Sequence, residues 1–173
     1  MSARLARRRA EQLIESLGVV TLPIDVIEVA RRLGARVVEA LVPDDVSGML
    51  VRNGATVIIS VKPSDAPTRK RFTIAHEIGH LYLEHQFKSG QHVHVDRGSY
   101  VSHRGRRASE GTDPMEVEAN QFASALLMPS ALLKQRAAAQ GDVLGEEEVD
   151  ALAQEFAVSV QAMTIRLGTL GLL

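Results

Sequence analysis

Residues 71–85, RFTIAHEIGHLYLEH, constrain the fold more than any other stretch of the chain. Ile74, Ala75, Ile78, Leu81, Tyr82 and Leu83 make a helix that is apolar over much of its circumference, which places it in the middle of a domain. Yet His76, Glu77 and His80 lie within the same run, and buried polar groups of this kind need partners. Gly79 adds a second constraint, because glycine inside a helix costs about 1 kcal/mol relative to alanine. It is expected where something must approach the helix backbone closely, such as a strand or a bound substrate.

The rest of the chain can supply such surroundings. With 173 residues, 45% of them hydrophobic, it can bury one core and form one domain with a small appendage. Twenty basic and 21 acidic residues leave a formal net charge of −1, which does not mark a nucleic-acid or membrane-surface protein. Cysteine is absent, so disulfides, thiolate metal sites and cysteine nucleophiles are excluded. The opening residues, MSARLARRRAEQLIESLGVV, carry basic groups without the apolar run of a signal peptide. No segment approaches the roughly 18–20 apolar residues of a membrane span. A soluble cytoplasmic protein is the expectation.

Periodicity predicts a helix over 3–17 and a second within LPIDVIEVARRLGA. ARVVEALV, SGMLVRN and ATVIISV read as about three strands, and Asn53–Gly54 between the last two is a hairpin signal. Ser64, Asp65 or Thr68 can cap the helix that carries His76. Residues 86–113 are polar, glycine-rich and unperiodic, a long loop of the kind that is often functional. PMEVEANQFASALLMP reads as a helix with Pro114 in its first turn and Pro129 at its end, and SALLKQRAAAQ continues as helix. The last residues read as two short helices with a turn near Val158–Ser159 and a helix-turn-helix look. The expected class is α+β, a small sheet packed on the histidine helix, with a domain over 1–129 and a helical subdomain over 130–173.

His76, Glu77, Ile78, Gly79 and His80 spell H-E-x-x-H. Helical positions four apart differ by about 40° of rotation, so both imidazoles leave one face and can grip one ion. Glu77 sits beside that face, where it can take a proton from a water that a metal has acidified. The plain alternative is a solvated helix face with two histidines, but the apolar surroundings and Gly79 weigh against it. A catalytic zinc needs a third protein ligand and an open position. Glu116 is the choice for that ligand, with Asn120 one turn on as a residue hydrogen-bonded to a ligand histidine. Glu118 is the rival, pointing roughly away from both. His85, His92, His94 and His103 read as loop histidines before ligands. Zinc suits two histidines and a carboxylate, and iron or manganese could use the same donors.

RFTIAHEIGHLYLEH followed by EVEANQFASALLMP closely resembles the ImmA/IrrE-type metallopeptidases over about residues 69–129. The resemblance implies a zincin-like fold and zinc-dependent proteolysis in the cytoplasm. It also implies a narrow range of targets, often helix-turn-helix repressors or antitoxins, whose cleavage derepresses stress or mobile-element genes. Position by position, it makes His76 and His80 the zinc histidines, Glu77 the catalytic acid/base and Glu116 the glutamate that opens the second motif. Tyr100 and His103, in the long loop, are candidate donors to an oxyanion. That loop could also act as a lid over the site.

Two other readings compete with an endopeptidase. One is a DNA-binding module at residues 146–173. There Glu146, Glu147, Glu148, Asp150 and Glu155 outnumber the single Arg166, whereas a phosphate-facing helix needs positive charge. Arg7, Arg8 and Arg9 read as a solvated helix face, so no direct nucleic-acid binding is expected. The other is a non-catalytic regulator that binds a repressor, toxin or antitoxin on the same fold.

Overall fold

The computed structural model describes residues 2–18, 21–41, 46–85, 93–96, 113–141 and 143–173. Four strands form one sheet: β1 (Ala35–Glu39), β2 (Gly48–Asn53), β3 (Thr56–Val61) and β4 (Val93–Asp96), in the order β1-β3-β2-β4. β2 and β3 are the expected hairpin. Asn53 stands opposite Thr56, which leaves Gly54 and Ala55 as the turn, and Gly54 takes the positive φ of 57° that a two-residue turn demands. β1 runs parallel to β3, with Ala35 opposite Val57.

β4 corrects the expectation of three strands followed by an unbroken loop. It lies antiparallel to β2, with Gly48 opposite Asp96. Four residues, VHVD, are too few to display a period, and the strand exists because β2 offers it a hydrogen-bonding edge. Residues 86–92 and 97–112 lie outside the described residues. So do most of the expected lid, Tyr100, His92 and His103; His94 stands in β4 opposite Leu50.

The helices are α1 (Ala3–Ser16), α2 (Val26–Arg32), α3 (Pro67–Tyr82), α4 (Pro114–Leu127), α5 (Ser130–Gln140), α6 (Glu146–Glu155) and α7 (Val160–Leu170). The second helix is shorter than LPIDVIEVARRLGA suggested. Asp25 caps it by accepting from the Ile27 and Glu28 amides, both at 3.0 Å. α3 begins without a side-chain cap, contrary to the expectation for Ser64, Asp65 or Thr68. Pro67 occupies its first turn instead. Proline lacks one of the first-turn amides that would otherwise stay unpaired, and it holds Ala66 extended at ψ 148°. Asp113 caps α4 by accepting from the Met115 amide at 2.9 Å.

α3 lies between the sheet and α4, touching β2 and β3 on one side, and α4 in turn packs on α1. Leu50, Ile59, Ile74, Ile78, Phe122 and Leu126 are buried in this stack. The same apolar cluster continues through Leu133 of α5, Leu152 of α6, and Met163 and Leu167 of α7. Arg166 pins the layers together. It is 2% exposed and donates to the Met128 carbonyl at 3.1 Å and to Glu11 at 3.3 Å. Glu11 also accepts from the Ser130 amide at 3.2 Å, so one carboxylate joins α1 to both α5 and α7. Among the described residues, no helix is long and apolar enough to cross a membrane.

Candidate metal centre

The site is built where α3 and α4 cross. A Cβ added at Gly79 would stand 3.2 Å from Ala119 Cα and 3.3 Å from Phe122 Cδ1. The close approach anticipated from this glycine is therefore real, but it is made by α4 and not by a strand or a substrate. That approach carries Glu116, one turn before Asn120 on α4, to the face of α3 that holds both histidines.

His76 Nε2 and His80 Nε2 face each other at 3.0 Å. Glu116 reaches both rings, Oε2 to His76 Nε2 at 3.3 Å and Oε1 to His80 Nε2 at 3.4 Å. The histidines are buried, whereas the Glu116 side chain is 31% exposed, so the cluster opens to solvent on the glutamate side. Asn120 Oδ1 lies 3.0 Å from His76 Nδ1. It accepts the Nδ1 proton and leaves the Nε2 lone pair of His76 pointing into the cluster. Two imidazole lone pairs and a carboxylate at such separations repel one another unless a proton or a cation lies between them. Ligands of a tetrahedral zinc, each at about 2.0–2.1 Å, stand about 3.3 Å apart, so these residues fit a divalent ion with little adjustment. Nitrogen and oxygen donors without sulfur suit zinc, and also manganese or iron.

Glu118 is not part of this triad. Its side chain is 5% exposed, and Oε2 lies 3.2 Å from His85 Nε2. His85 Nδ1 in turn lies 3.0 Å from His80 Nδ1, the ring nitrogen remote from the triad. His85 lies past the end of α3 and outside the triad, as the sequence suggested, but its side chain is buried and makes contacts that the sequence did not reveal. The turn after α3 explains it: the Glu84 amide donates to Leu81 and the His85 amide to His80, a Schellman arrangement with Glu84 at φ 55°. This turn folds residue 85 back over residue 80. A glycine at the left-handed position would have signalled it in the sequence; glutamate there hid it. Burial pushes the His85 imidazolium below its usual range despite the opposing pull of Glu118.

Glu77 is fully buried on α3. The first residue of β2, Gly48, lies against it: a Cβ there would stand 3.4 Å from Glu77 Oε1 and would collide with Thr73 Cγ2. The sheet can come this close to Glu77 only because residue 48 lacks a side chain. Beside the cluster, α3, α4 and α7 enclose a largely apolar cavity of about 260 Å³ lined by Phe72, Leu127, Val158, Ala162 and Ile165, with Asn120 also in its wall. Phe72 is one helical turn from His76. Of the site residues proposed from sequence, Asn120 is the one that lines this cavity.

Comparison with known proteins agrees with this architecture. A solved structure of a Mycobacterium tuberculosis transcriptional regulator superposes with a TM-score of 0.59 at 22% identity, covering 95% of this chain and 46% of that one. The likeness is one of fold, and the present chain spans less than half of that protein. Among curated proteins none matches. The profile of the IrrE N-terminal-like domain, the M78 peptidase family, matches residues 30–168, a longer stretch than the two motifs alone suggested. With that match extending over most of its length, from before β1 to the last turns of α7, this chain belongs to the ImmA/IrrE (M78 peptidase) family.

Proposed function

We propose that the protein is a zinc-dependent endopeptidase of narrow range on a zincin-like scaffold. The observation that carries this reading is the convergence of His76, His80 and Glu116 on one point, open to solvent on one side. A divalent ion held there would supply Lewis acidity and lower the pKa of water at neutral pH. Glu77 takes the proton from the attacking water and returns it to the leaving amine. Asn120 keeps His76 in the tautomer that offers Nε2. The cavity beside Phe72 and Asn120 receives an apolar side chain next to the bond that is cut.

The proposed substrate is a cytoplasmic helix-turn-helix repressor or an antitoxin. Direct DNA binding by α6 and α7 is disfavoured, because Arg166, the only basic residue of 146–173, is buried against Glu11. Co-expression with the helix-turn-helix protein of an adjacent gene tests the reading. Fragments that appear with the wild type and vanish with Glu77→Gln, while zinc content is retained, are expected. Binding of that partner without any Glu77-dependent fragment would instead support the non-catalytic regulator.

A further inference from the structure

We propose that His85 and Glu118 form a relay behind the metal centre that fixes the tautomer of His80 and strengthens it as a ligand. The inference rests on the reading of His76, His80 and Glu116 as a metal site. It starts from a difference between the two histidines. Behind His76 stands an amide oxygen, Asn120 Oδ1, which can only accept a proton. Behind His80 stands a second imidazole, which can either accept or donate at Nδ1. A neutral imidazole by itself favours the proton on Nε2, the tautomer that would turn His80 away from metal binding.

Glu118 removes that ambiguity. Its carboxylate, 3.2 Å from His85 Nε2, accepts a proton there. A neutral His85 with its proton on Nε2 has a lone pair on Nδ1, aimed at His80 Nδ1 at 3.0 Å. His80 must then hold its own proton on Nδ1 and present Nε2 to the cluster. The rings are steeply inclined, with centroids 4.9 Å apart and planes 75° apart, and the 3.0 Å between the two Nδ1 atoms is the length of an N–H···N hydrogen bond. His85 and Glu118 are both nearly sealed from solvent, so water does not compete for these groups. The Schellman turn holds the pair in register, since His85 is tied to His80 through the backbone as well as the ring. His85 is thus a positioning residue: it acts through His80 and touches neither metal nor substrate.

The test uses the full chain, labelled at the histidine nitrogens, and zinc as the probe. In the metal-free wild type, long-range nitrogen–proton spectra should show His80 as the Nδ1–H tautomer. His85→Ala should shift it towards Nε2–H. Zinc affinity, measured by competition with a chromophoric chelator, should fall about 10–100-fold in His85→Ala and in Glu118→Ala. His85→Asn, whose Oδ1 can accept the His80 proton, should recover most of the loss, which a merely structural role would not produce. If His85→Ala fails to fold by circular dichroism, Glu118→Ala and His85→Asn carry the same comparison. An unchanged His80 tautomer, with zinc affinity within about threefold of wild type, would overturn the relay. Failure of the wild type to bind zinc would sink the metal site itself, while the tautomer measurement would still decide whether the relay exists.

Discussion

A methyl group at residue 79 would press on Ala119 Cα and Phe122 of the neighbouring helix. Gly79→Ala gains about 1 kcal/mol of helix propensity but forces α3 and α4 apart. A net destabilisation of about 1–3 kcal/mol is expected in urea unfolding, together with weaker zinc binding, because Glu116 rides on α4. The sequence made the close approach legible but not its partner, since no local pattern says which element crosses a glycine. Glu84 shows the opposite case. It holds φ 55° without being glycine, so Glu84→Gly should be neutral or stabilising by up to about 1 kcal/mol in the same assay. His76, Glu77 and His80 were legible because helical spacing alone puts them together. Glu118 was not, because its partner, His85, sits beyond the helix end.

Between elements, polar side chains hold the layers that position the site. Arg71 of α3 donates to the Ile24 carbonyl at 2.9 Å and to the Ala157 carbonyl at 3.1 Å, tying α3 to the segment before α2 and to the α6–α7 turn. Arg71→Ala should cost about 1–3 kcal/mol in urea unfolding, since it removes a charged donor from two carbonyls. The helices and the β2–β3 hairpin were readable from caps, prolines and Asn53–Gly54. β4 was not, because edge pairing is a property of its neighbour. The cavity among α3, α4 and α7 was equally hidden, as it joins residues some ninety positions apart, from Phe72 to Ile165. In the proposed reaction, Ala162→Trp fills it. Cleavage of the partner should slow about tenfold or more while zinc affinity stays unchanged.

For the whole molecule, α+β content followed from the order of the periodic segments, and the pairing of the two motifs pointed to the family. The continuous core from α1 to α7 follows from long-range contacts such as Arg166 with Glu11, which no window of sequence contains. A metal held by the proposed site, with ligands from α3 and α4, would bridge the two central layers. Zinc at about 100 times its dissociation constant should therefore stabilise the fold by about 2.7 kcal/mol, raising Tm by roughly 5–10 °C. Excess chelator should abolish the gain, and Glu116→Ala should reduce it.

The most direct measurement is a crystal structure of the zinc-loaded chain, with anomalous data collected on both sides of the zinc edge. A single ion is predicted about 2.0–2.2 Å from His76 Nε2, His80 Nε2 and one Glu116 oxygen, with a coordination position left to solvent. Zinc bound elsewhere, or held by the two histidines with Glu116 turned away, would contradict the account.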